Sequence, residues 1–362
     1  MDLNRLLTTV KQHGASDLHL QTGSAAMLRV HGQLAPLQTD PIEPQEMEEL
    51  FKQIADEQAR AALERDLNCD FAYMLEGVAR FRVNAFRQLG QLAIAFRLIP
   101  VEVPTAEQLN LPSVVNDIAQ AERGLVLVTG TTGSGKSSTL AAMIDFINRS
   151  SRKRIITIED PIEFVHSSQK ALVAQREVGP DATGFLPSLR AALRQDPDAI
   201  LIGELRDLET MRTAIQAADT GHVVYSTVHT TTAAQTVQRL IALFPPNERD
   251  LLLMQLASNL EAVISQRLAR KADESGRVPV VEVLRATPVV RKLIREGKPL
   301  SLPEAMVGGE NGMMLFDQHL SQLYKDGVIK GREALRLATN PEAVGLAMRG
   351  ISSGDMQAGL VR

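Results

Sequence analysis

A glycine-rich run that ends in lysine and serine is the most informative chemical feature of this chain. The run follows the apolar segment 125–128, and its residues are Gly130, Thr131, Thr132, Gly133, Ser134, Gly135, Lys136 and Ser137. Glycines let backbone N–H groups converge on phosphate oxygens, and the helix-patterned stretch that follows presents its positive dipole end to them. Lysine at this position reaches the outer phosphates, and the serine hydroxyl binds Mg²⁺. The run therefore predicts a site for ATP and Mg²⁺, which Ser138 would also contact.

Two groups of carboxylates follow apolar runs that are typical of buried strands. In the first group, Ile158 leads into Glu159, Asp160 and Glu163. A carboxylate at such a strand end can orient a water molecule against the γ-phosphate or hold the hydration shell of Mg²⁺. A solvated acidic loop is the alternative interpretation of this segment.

In the second group, the apolar run 199–202 leads to Gly203 and Glu204. An aspartate usually stands before the acid in a magnesium-binding strand of this kind, and glycine replaces it here. Ser137 and Glu204 would therefore hold Mg²⁺ partly through water molecules, which this ion usually retains.

Two histidines flank the predicted strand 223–228. Along an extended strand, His222 and His229 would lie about 23 Å apart, so a single zinc ion cannot bridge them. Two interpretations stay open for these side chains: a structural role, and a polar sensor of the phosphate state.

Arginines are concentrated on two predicted strands before residue 100, at Arg80, Arg82, Arg87 and Arg97. A solvated arginine face is the ordinary interpretation of such a pattern. A P-loop motor, however, needs cationic charge at the γ-phosphate during transfer, and a neighbouring subunit often supplies it. Both interpretations stay open from the residues alone.

Composition is that of an ordinary globular protein, with 362 residues, 44% hydrophobic and 23% charged residues, and a formal net charge of −4. The absence of a basic excess argues against a nucleic-acid partner. Cys69 is the single cysteine, so neither an internal disulfide nor a cysteine zinc module is expected. No apolar run reaches the ~18 residues of a membrane span, and no signal peptide is apparent. We expect a cytoplasmic protein whose membrane link runs through a partner.

The segment 1–100 predicts a small mixed domain. Its pattern indicates an opening helix, short strands at 17–20 and 27–32, a polar helix over 44–63, and strands at 70–75, 79–87 and 91–99. Phe81, Val83 and Ala85 alternate with Arg80, Arg82 and Asn84, which predicts one buried and one polar face. Prolines then mark the segment 101–119 as a linker.

The segment 120–285 predicts a second domain, because strand and helix patterns alternate along it. This order indicates a parallel sheet wrapped by helices, with ligands at the carboxyl ends of the strands. After residue 246 the pattern becomes largely helical, apart from a short apolar piece at 278–283. The segment 286–362 is expected to be a helical region.

Taken together, these motifs resemble those of the secretion-superfamily ATPases, and within them the type IV pilus retraction ATPases. The segments that carry the resemblance are 124–137 (Walker A), 157–164 (Asp box), 175–179, 194–207 (Walker B region) and 220–231 (His box). The segment 289–296 resembles the family's AIRNLIRE helix, with Val289 in place of the usual Ala and Lys292 in place of the usual Asn. Assembly and secretion relatives carry long N-terminal extensions, and many have a four-cysteine zinc insertion. This chain has neither feature, which favours retraction.

The resemblance implies an α/β fold, with an N-terminal PAS-like α+β domain followed by a RecA-like P-loop ATPase domain and C-terminal helices. It also implies a homohexamer in which Arg82 and Arg97 reach the ATP of a neighbouring subunit. Glu204 would serve the Mg²⁺ and attacking-water region, and Glu163 is the favoured general base, although the sequence does not rank the two. Further expected site residues are Glu159, Asp160, His222 and His229.

The activity implied is ATP hydrolysis that powers pilus retraction at an inner-membrane platform protein. The protein would lie in the cytoplasm, at the inner face of the cytoplasmic membrane, and a second retraction ATPase is a further candidate partner. Two alternatives stay open. One is an accessory retraction, pilus assembly or secretion motor of the same superfamily, and the other is a non-catalytic nucleotide-sensing scaffold.

Overall fold

The computed structural model describes residues 2–30, 32–99 and 102–351. The chain forms two compact units. One comprises Met1–Glu102 with Glu163–Val165, and the other comprises Val103–Ile162 with His166–Arg362. Each unit has its own buried apolar core. The domain limits proposed from the sequence, including the linker 101–119, stay predictions.

The first unit is an antiparallel sheet with helices. Its elements are α1 (Leu3–Gln12), β1 (Asp17–Gln21), β2 (Met27–Val30), β3 (Gln33–Pro36), α2 (Pro44–Ile54), α3 (Glu57–Asp66), β4 (Asn68–Leu75), β5 (Ala79–Gln88) and β6 (Gln91–Ile99). Among the described residues, the strands form one six-stranded sheet in the order β3-β2-β1-β6-β5-β4. This arrangement confirms the α+β class expected for the N-terminal part.

The single polar helix predicted over 44–63 is wrong, because two helices occupy this region. Ala55 has extended backbone angles and ends α2. The carboxylate of Asp56 then accepts a hydrogen bond from the N–H of Ala59 at 2.7 Å. Aspartate is a favoured N-cap because its side chain pairs with a free N–H of the first helical turn. The break therefore results from local capping within an otherwise helical pattern.

The alternation predicted for β5 is confirmed. Phe81, Val83 and Ala85 are buried, and Arg80 and Arg82 on the other face are partly exposed. A strand places successive side chains on opposite faces, so the apolar set covers the core of the first unit. Strand β3 was not predicted, because all four of its residues are exposed and show no alternation.

The second unit is a mixed sheet with helices on both faces. Its elements are α4 (Val114–Ala119), β7 (Gly124–Thr129), α5 (Lys136–Ser150), β8 (Arg154–Glu159), β9 (Leu172–Glu177), α6 (Phe185–Ala192), β10 (Ala199–Ile202), α7 (Leu208–Asp219), β11 (Val223–Val228), α8 (Ala233–Leu243), α9 (Arg249–Asn259), β12 (Leu260–Arg270), β13 (Arg277–Arg285), α10 (Pro288–Arg295), α11 (Leu302–Met306), α12 (Phe316–Lys325), α13 (Gly331–Leu337) and α14 (Pro341–Met348). Short 3₁₀ turns lie at Pro246–Glu248, Pro299–Ser301 and Glu310–Gly312.

The strands of the second unit form a seven-stranded sheet among the described residues, in the order β13-β12-β7-β11-β10-β8-β9. All neighbouring strands are parallel except β12 and β13, which pair antiparallel. The sheet expected to be parallel is therefore a mixed one. Because β7, β11, β10 and β8 are parallel neighbours, their carboxyl ends meet at one edge of the sheet.

The largely helical pattern predicted after residue 246 misses β12. This strand is eleven residues long and pairs with β7 through a register that includes Ser265 opposite Thr129. Its segment Ala262, Val263 and Ile264 is continuously buried. A short continuous apolar run can belong to a buried strand or a buried helix, so periodicity alone does not decide between them. No helix among the described residues is both long enough and apolar enough to cross a membrane.

Candidate nucleotide site

The glycine-rich loop lies between the buried strand β7 and the start of α5. Gly130, Gly133 and Gly135 have φ angles of 147°, 76° and 90°. These angles lie in the region that residues with a Cβ atom rarely adopt. The loop therefore has the backbone shape that the sequence predicted, at the carboxyl end of β7.

Two of these glycines are also required by close packing. A Cβ atom at Gly130 would lie 2.4 Å from Ser134 Oγ and 2.5 Å from the carbonyl oxygen of Gln266. A Cβ atom at Gly135 would lie 2.7 Å from Gln266 Nε2. These contacts leave no room for side chains where the loop backbone packs against β12.

Lys136 lies in the first turn of α5 and is only 8% exposed. Its Nζ atom donates to the carbonyl oxygens of Gly130 and Thr131, each at 3.0 Å. Burial lowers the pKa of Lys136, and the charge of Glu204 raises it. The hydroxyl of Ser134 is buried without a hydrogen-bond partner among the described residues. A cation and an unpaired polar atom beside the loop both suit an anionic ligand.

Glu204 follows β10 and is fixed by the neighbouring strand β11. The hydroxyl of Thr227 donates to the carbonyl of Gly203 at 2.7 Å, and the N–H of Leu205 donates to the carbonyl of Thr227 at 3.1 Å. The residue is therefore anchored by the backbone on both of its sides. Its side chain lies at the edge of the sheet where the glycine-rich loop also lies.

The carboxylate of Glu204 contacts two cationic or ionisable side chains. Arg206 Nε donates to Oε2 at 2.8 Å, and His229 Nε2 lies 3.3 Å from Oε1. The hydrogen bond that Arg206 donates to Glu204 and the charge of that carboxylate raise the pKa of Arg206, and the charge of Asp160 adds to this effect. The structure thus brings together Glu204 and His229, which the sequence placed at the ends of separate strands.

Glu159 ends β8, the next strand along the same edge. Its Oε1 accepts hydrogen bonds from Thr157 Oγ1 at 2.6 Å and from Gln175 Nε2 at 3.1 Å. The Oε1 atom of Gln175 in turn accepts a hydrogen bond from the N–H of His166 at 2.7 Å. This network fixes the side chain of Glu159 and links it through Gln175 to the backbone of His166.

The family of this chain follows from a comparison with protein-family models. The model described as Type II/IV secretion system protein matches residues 1–325. The chain belongs to this secretion ATPase family. It is therefore a nucleotide-binding protein and an ATP hydrolase, as the glycine-rich loop predicted.

Two relatives in the secretion ATPase family carry specific names. The "Type IV pilus retractation ATPase PilT" of Pseudomonas aeruginosa is 46% identical over 343 residues, which cover 94% of this chain and 99% of that protein. A "Twitching motility protein" of Neisseria gonorrhoeae is 44% identical over 319 residues, which cover 88% and 85% of the two chains. The chain thus matches both relatives over most of their length.

A solved structure of the secretion ATPase family has the same fold. The crystal structure of the pilus retraction motor PilT with bound ADP has a TM-score of 0.89 and 40% identity, and covers 94% of this chain and 98% of that one. This likeness confirms the predicted fold, an N-terminal α+β domain followed by a RecA-like ATPase domain.

Within this secretion ATPase, His222 is not brought to the glycine-rich loop. It precedes β11, at the amino end of the strand whose carboxyl end leads to His229. Its Nδ1 atom lies 3.1 Å from the carbonyl oxygen of Ala217 and 3.2 Å from Thr220 Oγ1. Its position at the opposite edge of the sheet separates it from the nucleotide site of its own chain.

The predicted arginines and Glu163 belong to the first unit. Arg97 pairs with Asp17 at 2.8 Å, and Arg82 lies 3.6 Å from Asp70. Arg82 and Arg97 stand directly opposite each other on β5 and β6. Glu163 lies in the segment Glu163–Val165, which is part of the same unit. The nucleotide roles of these three residues stay predictions.

Sequence reasoning missed two glutamines of the site. Gln175 supports Glu159, and Gln266 contacts the glycine-rich loop. Gln266 lies on β12, in a region for which the sequence pattern predicted helices. Gln175 lies in the segment 175–179 that carried the resemblance, but the sequence assigned it no role. No motif marks Gln266, because its contacts join a strand to a loop and a helix that are distant from it in sequence.

Proposed function

We propose that this ATPase is a homohexameric motor that powers type IV pilus retraction and twitching motility. The match over nearly the whole length of a retraction ATPase from Pseudomonas aeruginosa carries this proposal. The motor would act at the inner face of the cytoplasmic membrane on a platform protein of the pilus machine. A second retraction ATPase is a further partner that we propose, and the formal net charge of −4 gives no support to nucleic acid as a track.

The roles that we propose for the site residues follow from their chemistry. Lys136 and the loop N–H groups would bind the phosphates, with Thr132, Ser138 and Asp160 close by. Ser137, which is exposed, and Glu204 would hold Mg²⁺ partly through water. When bound, this ion supplies positive charge against the phosphate oxygens.

Glu204 and Glu163 are the two candidates for the general base. Glu163 was favoured by family resemblance, and Glu204 is supported by its contacts with His229 and Arg206. A base needs to orient a water molecule, and Glu204 lies at the carboxyl edge of the sheet that also carries the glycine-rich loop. Steady-state phosphate release from Glu163→Gln and Glu204→Gln would rank them, because loss of the base lowers kcat by about 100-fold or more.

Arg82 and Arg97 would complete the nucleotide site of a neighbouring subunit. Like charges directly opposite each other on antiparallel strands repel. Asp17 and Asp70 offset part of this charge, and an anionic phosphate would offset more. The side chain of Arg97 is 69% exposed, so it is accessible to a partner.

Mixing inactive subunits tests this arrangement. Arg97→Ala and Lys136→Ala would each abolish ATP hydrolysis in pure hexamers. In mixed hexamers, some sites would combine an intact Lys136 with an intact Arg97 of the neighbour, so phosphate release would recover in part. No recovery in verified mixed hexamers would argue against a role in trans.

Retraction itself is tested in cells. Deletion of the gene should leave excess surface pili and abolish twitching, and Glu204→Ala should fail to restore twitching although it still forms hexamers. An assembly motor would instead leave cells without pili, and an accessory motor would leave residual retraction. A nucleotide-sensing scaffold would release no phosphate in purified form. Normal twitching with Glu204→Ala would refute the proposal.

A further inference from the structure

We propose that Gln266 is a positioning residue that sets the shape of the phosphate-binding loop for nucleotide binding. The residue is 2% exposed and lies on β12, directly after the pair formed by Ser265 and Thr129. The hydroxyl of Thr129 also donates to the hydroxyl of Ser265 at 2.9 Å. Gln266 is thus held against the end of β7, where the loop begins.

Both ends of the Gln266 amide are used. Nε2 donates to the carbonyl oxygen of Ser134 at 2.8 Å, and Oε1 accepts from Thr139 Oγ1 at 2.7 Å. Ser134 lies in the loop, and Thr139 lies in α5 and is fully buried. One side chain therefore ties together the strand, the loop and the helix that follows it.

The bond to Ser134 has a direct consequence for phosphate binding. The peptide between Ser134 and Gly135 is planar, and in a trans peptide the C=O and N–H groups point in opposite directions. Because Gln266 fixes the Ser134 carbonyl on the β12 side, it turns the N–H of Gly135 away from β12. Loop N–H groups of this kind are the donors that cradle phosphates.

Glutamine is suited to this position because its amide is both a donor and an acceptor. The Ser134 carbonyl can only accept, so it requires the NH₂ group. A glutamate in its place would set a carboxylate against a carbonyl oxygen and add negative charge beside the phosphates. A leucine would fill the space but leave Ser134 and Thr139 without this partner.

Binding of ADP to the full-length protein tests the inference. In calorimetric titrations, Gln266→Leu and Gln266→Glu should each raise the Kd for ADP by roughly tenfold, the value expected for a lost buried hydrogen bond. Thr213→Val is a matched control on α7. It removes a buried threonine hydroxyl that donates to the backbone carbonyl oxygen of Glu209, away from the loop. The control should bind ADP like the wild type.

Hydrogen exchange without nucleotide gives a second readout. Peptides that cover 130–139 should exchange about tenfold faster in Gln266→Leu than in the wild type, and those of Thr213→Val should not. A role confined to stability would lower the Tm of Gln266→Leu and leave the Kd for ADP unchanged. That result would overturn the inference, as would unchanged exchange in the loop.

Two variants keep the test decisive if Gln266→Leu does not fold. Gln266→Glu retains the acceptor for Thr139, loses the donor for Ser134 and adds a negative charge. Weak ADP binding by this variant that persists at high salt, where the added charge is screened, supports the role of the Ser134 contact. Wild-type affinity in both Gln266→Glu and Thr139→Val would overturn the inference. The inference rests on the nucleotide-binding part of the proposed function, and ADP binding is measured without pili, so failure of retraction would leave it intact.

Discussion

The Nε2 atom of His229 lies 3.3 Å from Oε1 of Glu204, and the two residues follow neighbouring parallel strands. Arg206 occupies the other carboxylate oxygen. Glu204 thus contacts both His229 and Arg206 at the edge of the sheet that also carries the glycine-rich loop. Its side chain is 19% exposed, so it is accessible from the site yet shielded from bulk water.

Glu204→Gln should abolish hydrolysis and leave binding intact. The amide keeps the shape of the side chain and removes the charge that orients water and serves Mg²⁺, so kcat should fall by about 100-fold or more. Phosphate release measures kcat, and ADP titration measures binding. Glu209→Gln is a matched control on the surface of α7, where the side chain is 54% exposed, and it should retain full activity. Comparable kcat values in both variants would contradict the assigned role.

Gly135→Ala should weaken ADP binding, because the added Cβ atom strains the backbone and also collides with Gln266. Gly135 has a φ angle of 90°, and its added Cβ atom would also lie 2.7 Å from Gln266 Nε2. Gly221→Ala is the matched control, since Gly221 has a φ angle of 101° with no atom within 4 Å of the added Cβ. Each variant should lose about 1 kcal/mol or more in urea unfolding through backbone strain. Gly135→Ala should weaken ADP binding, and Gly221→Ala should not. Equal ADP affinities in the two variants would contradict close packing of the loop against Gln266.

Acid should destabilise the fold through His319. This residue is 5% exposed, and its Nδ1 accepts a hydrogen bond from the N–H of Val281. Burial lowers the pKa of His319 to about 4, although the charge of Asp326 opposes this effect. The unfolded chain, with a pKa of about 6.5, therefore binds more protons between pH 6.5 and pH 4. The contribution of the neutral His319 to the free energy of unfolding is fully present above pH 6.5 and is lost as the pH falls from 6.5 to 4.

The measurement is urea unfolding at pH 7 and pH 5. Between pH 7 and pH 5, the free energy of unfolding of the wild type should fall by roughly 2 kcal/mol more than that of His319→Asn, which cannot titrate in this range. Asparagine can still offer an oxygen to the N–H of Val281, so the control keeps an acceptor at this position. Parallel pH dependence in the two proteins would show that His319 does not titrate as expected.

Tyr225→Phe should destabilise the second unit without a direct effect on catalysis. The hydroxyl of Tyr225 is buried and donates to the carbonyl oxygen of Ala119 at 2.9 Å. Loss of the donor leaves that carbonyl unsatisfied, which costs about 1–3 kcal/mol. Urea unfolding measures the loss, and phosphate release below the transition should match the wild type. An unchanged free energy of unfolding would mean that water replaces the missing partner.

Local chemistry explains why much of this molecule could be predicted from its sequence. The glycines, Lys136 and Ser137 form one continuous segment, so their spacing alone indicates a phosphate site. The alternation of Phe81 and Val83 with Arg80 and Arg82 is likewise a property of neighbouring residues. The family resemblance extended these local signals to a fold and an activity, and the comparisons confirm both.

Only the tertiary structure decided which distant residues meet. Gln266 contacts Ser134 across 132 positions of sequence, and His229 reaches Glu204 through the pairing of β10 with β11. The same strand direction puts His222 at the opposite edge of the sheet from the loop. Sequence patterns report the faces and ends of single elements, and they do not report which strands become neighbours. Strand order therefore determined how the residues identified in the sequence combine into a site.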